Sequence, residues 1–371
     1  LFFIAGALIL WGMGEGMFLN FAPIYLSSQF SLGEQQIGFV LGAMGFFMLL
    51  MHIPGGHLAD RIGRRPMLIM AWLMGLVSTL AMALATRLPL YLIGIFGYGL
   101  TAAVTSPLSS YVTAARGKYP VGTALALISA TFSIGMALGP VTGGWVGDHY
   151  GLRAGYFIAM GIFFVSTFFI LAIQPQPIEK HDLESPPVNL WNNKKYISFL
   201  AVVAFAVFSM YLAQPLTPNF LNDARRLSLG ETGWVFSAGA LGNALLTVAV
   251  SRVKPRHGFL IAQALVILFA FFIWRGTGLP IFMLGYFLLG GFRAARPMAQ
   301  AQARELVHGS QMGLAYGALE TVSAIIFIIV PPLAGFLFER DPFIIYPLAI
   351  GLLLISIAAS YIYLNRKVPH A

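Results

Sequence analysis

The stretch FIIYPLAIGLLLISIAASYIYL, residues 343–364, decides the fold class. It carries no charge, and its polar members are Ser356, Ser360 and a few tyrosines. A membrane-spanning helix needs about 20 mostly apolar residues, and this run is long enough. It is apolar on every face, whereas a barrel strand alternates polar and apolar over about ten residues. The whole chain has the same character. Of 371 residues only 9% are charged and 58% are hydrophobic, with a mean hydropathy of +0.81. Soluble domains carry about 25% charged residues to cover their surface. The composition therefore excludes a soluble enzyme, a soluble nucleic-acid binder and a disordered chain. It predicts an all-α, polytopic membrane protein that takes the lipid bilayer as its solvent.

Twelve such stretches can be marked, at about 2–26, 37–57, 67–85, 89–114, 122–146, 154–173, 197–221, 232–251, 258–275, 280–303, 313–337 and 343–364. Short loops separate them, so no sizeable extramembrane domain fits. The first stretch is too long for a cleaved signal peptide. The sequence opens at Leu1 and not at Met, so residues upstream are expected. With the N-terminus in the cytoplasm, fourteen basic residues fall in cytoplasmic segments, among them Arg61, Arg64, Arg65, Lys194, Lys195 and Arg256. Six fall on the opposite side: Arg87, Arg153, Arg225, Arg226, Arg275 and Arg340. The excess of positive charge inside selects this orientation, with both termini cytoplasmic, in a cell (inner) membrane. The net charge of +9 has the same origin and implies no nucleic-acid partner. The chain has no cysteine, so it holds no disulfide and no thiolate metal site. Neither a phosphate loop nor a His-Glu-x-x-His pair occurs. No cofactor, no metal and no enzymatic activity are expected.

Residues 174–195 interrupt the pattern with Pro175, Pro177, Pro186 and Pro187 among charges, and read as a solvated linker. This divides the chain into 1–173, a cytoplasmic linker 174–195, and 196–371. The halves echo each other. Ser31-Leu32-Gly33-Glu34 recurs as Ser228-Leu229-Gly230-Glu231, and Pro23 matches Pro218. Gly94 and Gly99 match Gly285 and Gly290, and Pro140 and Gly143 match Pro332 and Gly335. Two six-helix repeats around a central interface are a transporter architecture.

Between spans 2 and 3 lies Gly56-His57-Leu58-Ala59-Asp60-Arg61-Ile62-Gly63-Arg64-Arg65. Small residues such as Gly56 let helices approach closely, and Gly63 permits a tight turn. Asp60 can cap a neighbouring helix N-terminus. A bare topology signal needs the arginines but not this order of Gly, Asp and Gly. The segment resembles the loop 2–3 motif of the major facilitator superfamily. The resemblance implies alternating access of two six-helix bundles, with Asp60 and its arginines latching the halves near Met312 and Gly313. Span 5 adds Gly135, Gly139-Pro140 and Gly143-Gly144. That spacing is similar to the span 5 motif of the family's drug–proton antiporters, although close packing and a proline bend alone also account for it. Antiporters of that branch carry an arginine in span 4 shortly before a Gly-x-Gly. Here Gly97-Tyr98-Gly99 is present, but Ile93 stands near the arginine's position. The family's usual route for the proton is therefore not implied.

An ionisable group inside a span costs at least about 2.5–3.5 kcal/mol, so such groups are functional candidates. Four stand out: Glu15, Arg293, Arg296 and Glu320. Arg293 and Arg296, three apart, share a helix face. The resemblance places spans 1, 4, 7 and 10 around the cavity. It thus brings Glu15 and Tyr98 towards Tyr211, Gln214, Asn219 and the arginine pair. Glu15 is the candidate proton or cation site, and the arginines suit an anionic group. Glu320 is also expected to neutralise one of them. His52 is a candidate proton relay but reads more simply as a polar helix end, and His57 is explained by its place in the loop motif.

The leading expectation is proton-coupled export of a small amphipathic or drug-like solute by a monomer. The second is a symporter or exchanger for a small organic anion. The third is a non-transporting membrane sensor or lipid-modifying protein on the same scaffold.

Overall fold

The computed structural model describes residues 1–175, 193–307 and 312–365. Within them it describes every side chain but those of residues 52–57, 60, 105, 106, 121, 122, 313, 364 and 365. The described chain is helical, with turns between. The elements are α1 (Phe2–Phe18), α2 (Ala22–Phe30), α3 (Glu34–Ile62), α4 (Arg64–Leu84), α5 (Leu88–Leu100), α6 (Thr105–Ala114), α7 (Val121–Tyr150) and α8 (Leu152–Leu171). There follow α9 (Lys194–Tyr211), α10 (Thr217–Asn219), α11 (Leu229–Ser251), α12 (Pro255–Arg275), α13 (Leu279–Leu288), α14 (Gly290–Leu306), α15 (Met312–Arg340) and α16 (Ile345–Asn365). Eleven helical segments among the described residues are long and apolar enough to cross a bilayer. The remaining crossing, the tenth, is present as α13 and α14. It falls short because the helix breaks at Leu289 and its second part carries Arg293, Arg296 and Arg304.

The breaks follow a rule. Crossing 1 is interrupted by a 3-10 turn at Leu19–Phe21, ahead of Pro23. Crossing 4 is interrupted by Thr101–Val104, ahead of Pro107. In crossing 7, α9 ends at Tyr211 and the chain continues through Pro215 into α10 and a π turn at Phe220–Ala224. These are the first helices of the four three-helix units. The other eight crossings run unbroken, even through Pro140 in α7 and Pro331-Pro332 in α15. Interrupted helices carry backbone polar groups that are tolerated at membrane depth only where protein or a cavity satisfies them.

The repeat glycines occupy equivalent crossings. Gly94 packs on Ser78 and Met82 of α4, and Gly285 packs on Phe272 and Ile273 of α12. Gly99 approaches Met44 of α3, and Gly290 approaches Gly242 of α11. The two halves meet through α3 against α15 and α7 against α11. Their backbone contacts gather at the end remote from Pro175 and Asn193. There Gly38 and Gly42 lie against Pro331 and Ile328, while Gly144 and Gly233 lie against Leu229 and Pro140. Towards the other end of α15, space opens beside Gly317, where an added methyl would touch nothing within 4 Å. The halves are therefore in close backbone contact at the far end.

Candidate functional site

Crossing 1 carries Glu15 and is held by crossing 5. An added methyl at Gly16 would sit 2.8 Å from Pro140 Cδ and 3.1 Å from Gly139 Cα. Gly135, Gly139 and Gly143 of α7 pack on the backbone of Ile9, Met13 and Met17 in turn. The glycines around Glu15 thus admit a partner helix. Of the span 5 glycine motif, only Gly144 faces the opposite half, on Leu229.

With the helix fixed, Glu15 sits in an aromatic cage. The Trp11 indole N–H and the Tyr98 hydroxyl both donate to Oε2, at 3.0 and 2.7 Å. The Trp11 ring stacks on Tyr98 at 5.9 Å and packs on Trp72 and Phe163, each at 4.7 Å. Behind it, Trp72 Nε1 donates to Ser166 Oγ, which donates to the carbonyl of Ala7, both at 2.8 Å. That chain ties crossings 1, 3 and 6 together. Among the described residues nothing hydrogen-bonds to Oε1.

Arg293 comes from the other half, and its charge acts on both Glu15 and Tyr211. Its side chain is accessible and makes no ion pair or hydrogen bond among the described residues. Arg296 does: its Nε lies 2.7 Å from Glu320 Oε1, and Gln300 Nε2 donates to the same oxygen at 3.1 Å. Residues 296 and 300 are one turn apart on α14, so one carboxylate of α15 bridges both. The site therefore holds one committed arginine and one free one.

Tyr211 lines the same region, stacked on Phe292 at 5.9 Å and packed on Phe327 at 4.7 Å. Gln214, in the turn after α9, donates its amide N–H back to the carbonyl of Met210. Asn219 is fully buried at the far end, where it donates to Glu34 Oε2 across the halves at 2.9 Å. It closes the molecule and does not line the cavity. Ile93 is 67% exposed and turned outward. In the loop 2–3 segment, Gly63 has φ +96°, the left-handed side that only glycine adopts freely. Arg61 is exposed. Arg65 donates to the carbonyl of Leu171 at the end of α8, and Arg64 begins α4. The expected latch through Gly56, Asp60 and Gly313 lies outside the described side chains, as do His52 and His57. An open recess at the far end, lined by Tyr25, Gln29, Tyr150, Arg153 and Asn222, holds none of these candidates. Trp11 is a further candidate that the sequence did not single out. Its signal was present, an indole donor one helical turn before Glu15.

The sequence model described as Major Facilitator Superfamily matches residues 4–197 and again 197–371. The chain belongs to the Major Facilitator Superfamily. It is a multi-pass membrane transporter and not an enzyme. It is 23% identical over 382 residues to multidrug resistance protein 2 of Bacillus subtilis, covering 96% of this chain and 92% of that one. It is 28% identical over 181 residues to multidrug resistance protein MdtG of Salmonella arizonae, an alignment spanning 47% of this chain and 45% of the other. The fold is similar to the crystal structure of the nucleoside transporter NupG, with a TM-score of 0.80, 15% identity and 99% of both chains covered.

Proposed function

We propose that this superfamily member exports small amphipathic or drug-like solutes in exchange for protons, with Glu15 as the shared binding group. The observation that carries the reading is the carboxylate itself. It has one oxygen held by Trp11 and Tyr98 and the other uncommitted, inside an aromatic wall and facing a free arginine of the opposite half. When Glu15 is ionised, Oε1 attracts the polar or cationic head of a solute whose apolar body lies on Trp11, Tyr98, Tyr211 and Phe292. A proton on Oε1 removes that charge, so proton and solute compete for one atom. Two bundles, 1–173 and 196–371, rock about the site on the linker 174–195. The excess of basic residues puts the termini in the cytoplasm of a cell-membrane protein. The end opposite the closed contacts then faces the cytoplasm, the side from which an exporter loads. Resemblance to one multidrug resistance protein over nearly the whole chain supports the same reading. The unit is a monomer.

The test is flux in proteoliposomes against an imposed pH gradient. Glu15→Gln is expected to lose the response to the gradient while remaining folded, and an unchanged response removes Glu15 from the coupling step. A second reading rests on Arg293, which no described carboxylate pairs. It holds an organic anion bidentately for symport or exchange. Arg293→Ala then abolishes anion flux, and anion flux that survives it removes this reading.

A further inference from the structure

The repeated Ser-Leu-Gly-Glu segments lie outside the cavity, and both lie where the halves close, where Glu34 of the first also accepts from Asn219 across the halves at 2.9 Å. Ser228-Leu229-Gly230-Glu231 begins α11. The N–H groups of Leu229 and Gly230 donate to Oδ1 and Oδ2 of Asp148, at 2.9 and 2.8 Å. Asp148 is near the end of α7, in the opposite half. Ser31-Leu32-Gly33-Glu34 begins α3. The N–H of Gln35 donates at 3.0 Å to Oε1 of Glu339, near the end of α15 in the other half. Each helix start is thus held by a carboxylate that its own half does not supply.

The two contacts share a design. Gly144 lies one turn before Asp148 and meets Leu229, while Gly335 lies one turn before Glu339 and meets Glu34 and Gln35. In each case a glycine lets the backbones touch and the carboxylate closes over the next helix start. The glycine of each repeat is equally necessary. An added methyl at Gly230 would sit 2.7 Å from Asp148 Oδ2, and one at Gly33 would sit 2.7 Å from Glu339 Oε1. A carboxylate at a helix N-terminus satisfies unpaired N–H groups and favours the helix dipole. Here that stabilisation exists only while the halves are together.

We propose that these two pseudo-symmetric contacts, Asp148 on the start of α11 and Glu339 on the start of α3, are the lock that holds the far end of the transporter shut. The lock is independent of which solute the central site carries. Opening that end requires both carboxylates to leave the backbone N–H groups and return to water.

The 371-residue chain has no cysteine, so spin labels can be placed on it without altering other positions. Thr86→Cys and Thr277→Cys put nitroxides on exposed far-end turns of opposite halves. Their distance distribution in lipid nanodiscs reports whether that end is closed. Asp148→Asn with Glu339→Gln removes both charges at nearly constant shape. It is expected to raise the ratio of long- to short-distance populations about three- to thirtyfold, the effect of two ordinary helix-end charges. Gly33→Ala with Gly230→Ala is expected to shift the ratio in the same direction by displacing the same carboxylates. Glu231→Gln is the control. Among the described residues its carboxylate accepts only from Ser228 of its own helix start, so no shift is expected. An unchanged distribution in the double charge variant, or an equal shift in Glu231→Gln, overturns the proposal.

Discussion

Gly16→Ala puts the placement of Glu15 to a quantitative test. The new methyl would lie 2.8 Å from Pro140 Cδ and 3.1 Å from Gly139 Cα. Carbon pairs rest at about 3.5–4.0 Å, so crossings 1 and 5 must separate by about 0.7 Å or more. Neither obstacle is the end of a flexible side chain. Overpacking of this kind costs about 1–3 kcal/mol, while alanine returns up to about 1 kcal/mol over glycine within a helix. The net loss is then about 0–3 kcal/mol, so the protein folds with a lowered melting temperature. Function suffers more. Glu15 is the next residue, its hydrogen bonds from Trp11 and Tyr98 are 3.0 and 2.7 Å long, and a displacement near 1 Å can cost about a hundredfold in a positioned site. Gly161→Ala is the matched control, since a methyl there meets nothing within 4 Å. It is expected to be neutral or stabilising. Melting in detergent and initial flux in proteoliposomes, measured on both variants, decide the matter. Wild-type flux and wild-type melting in Gly16→Ala would refute the close approach of these helices as the determinant of the carboxylate's position.

Three further outcomes follow from the same contacts. Ser166→Ala leaves the buried indole N–H of Trp72 without a partner and is expected to cost about 1–3 kcal/mol, read as a fall in melting temperature larger than that of Trp72→Phe. Glu320→Gln breaks a pair whose side chains are 61% and 41% exposed, so after solvent screening the loss of stability stays below about 1 kcal/mol. The freed Arg296 should at the same time raise uptake of anionic dyes relative to cationic ones. Trp11→Phe keeps the ring and removes one donor to Glu15. It is expected to alter the pH profile of flux while melting stays near wild type, and an unaltered profile separates Trp11 from the coupling group.

The spans were legible because burial in lipid demands a continuous apolar surface, and 343–364 or 67–85 cannot be read otherwise. The repeat was legible because glycines at helix crossings are positional: Gly94 with Gly285 and Gly99 with Gly290 were paired as the packing pairs them. The interface shifts one of these matches. Gly335 corresponds in contact to Gly144 rather than to Gly143. Three features were not legible. The helix breaks at residues 19–21, 101–104 and 289 are set by what the neighbouring helices satisfy, and the nearby prolines do not locate them. Asp148 and Glu339 read as ordinary charges at helix ends, because their partners lie 81 and 304 residues away. Gln214 carries the polar chemistry of a cavity residue, yet one amide N–H turns back to the carbonyl of Met210 one turn earlier. A side chain's local preference for its own turn leaves no trace in composition.

The hydrogen bonds to Glu15 have one further consequence. Trp11 and Tyr98 belong to the same half as the carboxylate, and crossings 1, 3 and 6 are tethered through Trp72 and Ser166. A rigid-body rotation of one half against the other leaves those bonds at constant length. Arg293 rides on the other half, so only its through-space field on Glu15 varies with the rotation, falling with distance. The carboxylate thus has a fixed local reference and a single moving counter-charge. On the proposed rocking of the halves, the ionised carboxylate is an electrostatic gauge of the angle between them.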